Sequence, residues 1–167
     1  DLPDGDEIVK RFKGCGDFAR TNNIRTCFHP DQFVVLNSPR HDVVERSVKE
    51  LEYQAEIAEW VAADVVNIHG GGAYGDKPSS LDRFAKNLGL LSDRVRNRLT
   101  VENDDTTYTP SDLLPLCKTE GIPLVYDVHH HRCNQDERSI ELATRVAEIA
   151  DKGEGNFAPI CIDFVDN

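Results

Sequence analysis

The sequence predicts an α/β domain whose parallel strands are arranged as in a barrel rather than an open sheet. Two observations carry this. Short apolar runs alternate with amphipathic stretches in the order α-β-α-β-α-β-α-β-α-β, and alternation at this spacing gives parallel strands joined by right-handed crossovers. Four of the strand-like runs also end in a metal-competent side chain: His29, His69, Glu102 and the Asp127 to His131 stretch. An open doubly wound sheet gathers its functional residues at one switch point. Ligand-type residues at nearly every strand end suit a barrel, whose strand C-termini share one face. Five strands do not close an eight-stranded barrel, so the expected barrel is partial.

The elements follow in order. Residues 6–22 read as a helix of mixed polarity and 24–29 as a strand that Pro30 ends. Residues 42–63 read as a long amphipathic helix, with Val43, Val44, Val48, Leu51, Ile57, Ala58 and Val61 near helical spacing. Tyr53 and Trp60 are expected in its core face, and His41 on the surface at its start. Residues 65–69 are a strand, followed by the Gly70-Gly71-Gly72 loop. The next helix is capped by Ser79 or Ser80 and runs to about Arg96. Residues 99–103 are a strand. Thr109-Pro110-Ser111-Asp112 opens a helix with Ser111 as the expected cap, ending near Gly121. Residues 122–127 are a strand, 136–151 a helix and 159–164 a last strand. Nothing marks a linker or a low-complexity segment, so residues 1–167 are expected to be one domain.

The chain is 39% hydrophobic and 29% charged, ordinary for a globular protein. No apolar run approaches the roughly 20 residues of a membrane span, so no membrane partner is expected. It contains no methionine and opens on Asp1, which predicts a fragment, a processed form or a partial gene product. The net charge of -11 argues against a generic nucleic-acid coat protein. It leaves room for an enzyme acting on DNA, because bound divalent metals add local positive charge. Arg25, Arg40, Arg83, Arg94, Arg96 and Arg98 remain for phosphates. The five cysteines form no CxxC pair and fit reduced thiols of a cytosolic-type compartment, with Cys133 expected buried.

The strand ends carry the chemistry. Histidine and carboxylate together suit Zn²⁺, Mn²⁺ or Fe²⁺. His69 precedes three glycines that admit a close backbone or phosphate. Glu102 ends an apolar strand, where it is badly placed for solvation and well placed to bridge two metals. Asp104 and Asp105 read as supporting or capping residues. Strand neighbours point to opposite faces, so Asp127 and His129 share a direction if the strand continues, whereas a loop start at Val128 frees His130 instead. After His29-Pro30, Gln32 and Phe33 are expected on a loop at the rim of the site, where a glutamine beside an aromatic can wedge into a base stack. Lys77 is placed to meet a phosphate or to cap a surface turn. No Walker A, GxGxxG or GxSxG pattern occurs.

Taken together, four runs resemble the UV damage endonuclease family, relatives of the TIM-barrel apurinic endonucleases and of xylose isomerase. They are His29-Pro30-Asp31-Gln32-Phe33-Val34, Ile68-His69-Gly70-Gly71 to Gly75-Asp76-Lys77, Arg98 to Asp105, and Gly121-Ile122-Pro123 through His131. The likeness spans residues 24–145. It implies a partial (β/α)8 TIM barrel supplying about strands 3 to 7, and a hydrolase of DNA repair that nicks duplex DNA 5′ to UV photoproducts. It implies divalent ions, Mn²⁺ foremost with Zn²⁺ or Mg²⁺ as alternatives, up to three in the complete fold. By resemblance, His29, His69 and Glu102 form one metal site, Glu102 bridges to a second metal shared with Asp127, and His130 binds a third. Glu102, Asp127 and His69 are then the catalytic group. Gln32 and Phe33 match the family's damage-probing pair, and Lys77 stands beside them as a DNA-binding candidate. The implied partner is damaged double-stranded DNA, with no obligate protein partner. The implied location is cytoplasmic in a bacterium, nuclear or mitochondrial in a eukaryote. The family's first two strands and its final glutamate-bearing strand have no counterpart here. The tail Phe157 to Asp163 lacks the lysine and histidine of the family's seventh strand. Two alternative readings remain, a sugar isomerase or epimerase of the same barrel type and a catalytically incomplete remnant that binds damaged DNA.

Overall fold

The computed structural model describes residues 4–137. Four parallel strands lie in chain order in one sheet: β1 (Cys27–Phe28), β2 (Val65–His69), β3 (Leu99–Glu102) and β4 (Leu124–Val125). Helices connect them: α1 (Gly5–Thr21) precedes β1, α2 (His41–Val61) joins β1 to β2, α3 (Lys77–Leu88) and α4 (Asp93–Arg96) join β2 to β3, α5 (Pro110–Glu120) joins β3 to β4, and α6 (Val128–Cys133) follows β4. This is the strand–helix repeat of a partial barrel, with each crossover helix laid on one face of the sheet.

The period of a strand sorts its side chains into two layers. Val66, Ile68, Leu99 and Val101 point to the helices, where they are buried with Leu51, Ala55 and Ala58 of α2, Phe84 and Leu88 of α3, and Leu113 of α5. The residues between them, Asn67, His69, Thr100 and Glu102, face the other way. Register pairs Asn67 with Thr100 and His69 with Glu102. The inner face is therefore a polar column backed by an apolar core.

Several boundaries differ from the sequence-based expectation, each for a local reason. The 24–29 strand contracts to Cys27–Phe28 because Arg25 and the Thr26 amide are both held by the Asp64 carboxylate. The cap of α3 is Asp76, whose side chain accepts from the Ser79 amide; Ser79 and Ser80 lie inside the first turn and cannot cap it. That helix stops at Leu88 before Gly89, and Ser92 caps the separate α4. Thr109, not Ser111, caps α5. Pro110 occupies the first helical position, which puts the cap one residue earlier, and Thr109 and Asp112 exchange hydrogen bonds in a capping box. Tyr53 is exposed, because two residues from Leu51 and Ala55 is about 200° around a helix. Trp60 is half-buried against Phe12. Cys133 is exposed. The expected helix at 136–151 falls almost entirely outside the described residues, and the strand at 159–164 wholly so.

Candidate metal centre at the strand C-termini

Three strand ends place three donors around one point. His29 follows β1, His69 ends β2 and Glu102 ends β3. Among the described residues these are the three whose donor atoms all lie within 4.8 Å of one another. His29 Nε2 stands 2.8 Å and His69 Nε2 2.5 Å from the same oxygen, Glu102 Oε1. The other oxygen, Oε2, accepts from buried Asn67 Nδ2 at 2.5 Å, and Asn67 Oδ1 accepts from Thr100 Oγ1 at 2.8 Å. The inner column thus orients the carboxylate from below and leaves one oxygen for the histidines.

The electrostatics follow from this packing. Burial pushes the Glu102 carboxyl up, but hydrogen bonds from His29 and His69 outweigh it and hold the pKa at about 2. The His29 ring is raised from its ordinary 6.5 by its bond to Glu102, against a lowering from burial, and further by Nδ1, which donates to the Pro30 carbonyl at 3.1 Å. Acceptors on both nitrogens favour the doubly protonated ring. A divalent cation would take the place of the Nε2 proton between His29, His69 and Glu102. Two imidazoles and a carboxylate, with the far carboxylate oxygen already fixed, are a donor set that fits such an ion.

A second group adjoins the first. The Asp127 side chain caps α6, accepting from the His130 amide at 2.7 Å. A helix beginning at Val128 resolves the choice left open by the histidine run. It puts the His130 ring 5.3 Å from that of His69, leaves His129 exposed, and turns His131 inward against the Tyr126 hydroxyl. His130 Nδ1 donates to the Asn103 carbonyl at 2.9 Å, which leaves Nε2 as the free donor atom. Asn103 is fully buried and clasps the Asp127 backbone twice. Its Nδ2 donates to the Asp127 carbonyl at 3.0 Å and its Oδ1 accepts from the Asp127 amide at 2.8 Å. The side chain thereby continues the β3–β4 ladder past its last backbone pair. Asn67, Thr100 and Asn103 escaped the sequence reading. Their one signal was a polar residue within or directly after an apolar strand, Asn67 two positions before the candidate ligand His69.

Gln32 and Phe33 stand exposed on the β1–α2 loop, Phe33 at 76%. Asp31 builds the turn, with Oδ1 accepting from the Phe33 amide and its carbonyl from Val34. Buried Val34, Val35 and Leu36 anchor the loop. Both probing candidates line a cleft of about 800 Å³ that reaches His69. Lys77, at the start of α3, is paired with Asp112 at 2.6 Å and does not line this cleft, so a phosphate there would compete with that carboxylate. Asp104 is buried and spends its side chain on the amides of Thr106, Thr107 and Tyr108, a supporting role, while Asp105 is exposed.

Comparison with known proteins places this geometry. The chain is 40% identical over 133 residues to the UV DNA damage endonuclease of Bacillus pumilus and 42% over 128 residues to that of Bacillus velezensis. These alignments cover 78% and 75% of this chain, but 42% and 40% of the relatives, so the chain spans about two fifths of their length. A crystal structure of SacUVDE superposes with a TM-score of 0.77 at 34% identity, covering 84% of this chain and 50% of that one. Endonuclease IV from Thermus thermophilus (TM-score 0.61, 18% identity, 85% of this chain and 55% of that one) shows the shared fold alone. So does a D-psicose 3-epimerase (TM-score 0.63, 15% identity, 81% and 54%). The family model described as UV-endonuclease UvdE matches residues 6–154, a span that takes in every strand end described above, and the chain belongs to that family.

Proposed function

We propose that this chain forms part of a metal-dependent endonuclease that nicks duplex DNA 5′ to UV photoproducts, as a step of DNA repair. The observation that carries the reading is the meeting of His29, His69 and Glu102 at the ends of three adjacent strands, in a chain whose relatives are UV DNA damage endonucleases. His29, His69 and Glu102 hold one divalent ion. Glu102 and Asp127 would hold a second, and His130 Nε2 would serve a third. Mn²⁺ is the proposed ion, with Zn²⁺ or Mg²⁺ able to use the same donors. When bound, such ions supply Lewis acidity for phosphodiester hydrolysis and offset the charge that develops on the phosphate oxygens.

The chain's own residues do the rest. Asn67 keeps Glu102 from rotating, and the Asn103 carbonyl keeps His130 in the tautomer with a free Nε2. In the metal-free chain, hydrogen bonds from His29 and His69 already favour Glu102 as a carboxylate, the form a cation needs. Gln32 and Phe33 enter the duplex at the lesion. Damaged bases stack poorly, so insertion costs less there, and that difference is the source of selectivity. Lys77 contacts the DNA backbone when it leaves Asp112.

The test is incision of a duplex bearing one thymine dimer, with Mn²⁺, by this chain and by the longest reading frame that contains it. A nick 5′ to the dimer, abolished by Glu102→Gln, is the expected result. Gln32→Ala should lower the ratio of damaged to intact duplex binding while sparing Mn²⁺ binding. Absence of a nick from the longer form with metal bound would refute the reading.

A further inference from the structure

We propose that Tyr74 is a second base-stacking residue, and that the cleft it shares with Phe33 receives an unstacked nucleobase rather than a phosphate. This rests on the endonuclease reading above and names a contact within it. Two exposed aromatics line the cleft that runs to His69: Phe33 from the β1–α2 loop, 76% exposed, and Tyr74 from the β2–α3 loop, 48% exposed.

The loop is built to hold Tyr74 out. Its backbone lies in the left-handed region, φ 47°, a conformation that costs a non-glycine residue energy and persists only where surroundings impose it. Those surroundings are visible. The Gly72 carbonyl accepts from Asn37 Nδ2 at 2.7 Å and from the Tyr108 hydroxyl at 3.2 Å. The Ala73 carbonyl accepts from Ser80 Oγ and from the Asp76 amide. A side chain at Gly72 would meet the Tyr74 ring at 3.2 Å. Arg83 lies 5.9 Å from the centre of that ring and is itself fixed by bonds to the Asn37 carbonyl and Ser80 Oγ. About half of this aromatic's surface is left open on a rigid, strained loop. Such an arrangement suits contact with a flat partner.

The charge of the lining decides which part of DNA that partner is. Asp31, Glu50, Asp104 and Asp105 line the cleft. Among the described residues that line it, Arg46 is the one arginine or lysine, and it is already paired with Asp42 at 2.8 Å. Away from the metal end at His69, such a lining repels phosphate, whereas Thr106 and Thr107 offer hydroxyls to the polar edge of a base. Base–aromatic stacking is tolerant of sequence, as a contact to a displaced base must be.

Tyr74→Leu and Tyr74→Phe separate the ring from the rest of the side chain, since both keep the backbone demands of an L-residue. The measurement is the Kd of the full chain, loaded with Mn²⁺, for a duplex with one thymine dimer and for its intact counterpart. Tyr74→Leu should weaken binding to the damaged duplex by about 5- to 150-fold, the range of one lost stacking contact. Tyr74→Phe should keep it. The slope of log K against log salt should not change in either, because no phosphate contact is lost. Wild-type affinity in Tyr74→Leu would overturn the proposal while leaving the endonuclease reading intact. So would an equal loss in Tyr74→Phe, or a shallower salt slope in Tyr74→Leu. No preference for damaged duplex in the unaltered chain would remove both the reading and the proposal.

Discussion

Asn103→Ala tests whether the second half of the site depends on a side chain that stands in for a strand. Asn103 is fully buried, and its amide satisfies both the carbonyl and the amide of Asp127. Alanine leaves the buried Asp127 amide without a partner, while the Asp127 carbonyl keeps its bond from the His131 amide. An unsatisfied buried group costs about 1–3 kcal/mol, so the variant should lose about that much, a sizeable part of the roughly 5–15 kcal/mol of a typical domain. Urea unfolding followed by fluorescence reads this directly, because the chain has a single tryptophan, Trp60, packed against Phe12. Asn103→Asp sharpens the test. It keeps the acceptor for the Asp127 amide and turns an oxygen toward the Asp127 carbonyl, so its carboxyl should be held protonated and its folded pKa raised. A raised folded pKa adds stability as pH falls, so Asn103→Asp should recover on acidification relative to Asn103→Ala. The alanine variant should also bind metal through Asp127 and His130 about 10- to 100-fold more weakly, because the cap and the imidazole lose their frame. A loss under about 1 kcal/mol with an unchanged m-value would refute the reasoning.

Three further expectations follow from the same structure. In the metal-free chain, His29 is raised above 6.5 and Glu102 lowered from 4.5 to about 2. The raised His29 contributes stability that is full below 6.5 and fades as pH climbs through its folded value, while Glu102 contributes stability present above 4.5 and lost as pH falls toward about 2. Stability from this pair should therefore be greatest between 4.5 and 6.5, and Glu102→Gln should flatten both limbs of the pH–stability profile. Metal needs the deprotonated ring, so Mn²⁺ affinity, measured by titration calorimetry, should fall by about tenfold per unit below the raised His29 value; a flat affinity down to about pH 5 would contradict the ligand role of His29. In α1, a side chain added at Gly16 would collide with the Val61 carbonyl of α2, whereas Gly14 faces open space. Thermal melts should show Gly16→Ala losing about 1–3 kcal/mol by overpacking and Gly14→Ala gaining about 0.5–1 kcal/mol from helix propensity; the same sign for both would refute the packing.

What could be read from the sequence, and what could not, divides along a physical line. β2 and β3 are apolar runs of ordinary strand length, so their ends and the candidate ligands on them were legible. Signals confined to one or two residues lost against longer patterns. Gly89 and Ser92 marked the break between α3 and α4, yet the apolar spacing ran through them. Pro110 marked Thr109 as a cap, yet Ser111 looked equally suited. Asp127 read as a strand end because a helix of six residues carries no period, and three adjacent histidines do not say which one faces the site. The supporting shell was hidden for a different reason. Asn67, Thr100 and Asn103 matter through cross-strand neighbours, and one strand alone does not reveal its partner. Register supplies the link: Asn67 opposes Thr100 and His69 opposes Glu102 because Val66, Ile68, Leu99 and Val101 must all face the helices at once. A slip of one residue would turn His69 and Glu102 into the core and the valines onto the inner face. The burial that stabilises the sheet is therefore also what fixes His69 beside Glu102, and a core substitution that loosens this register should be felt first as lost metal affinity.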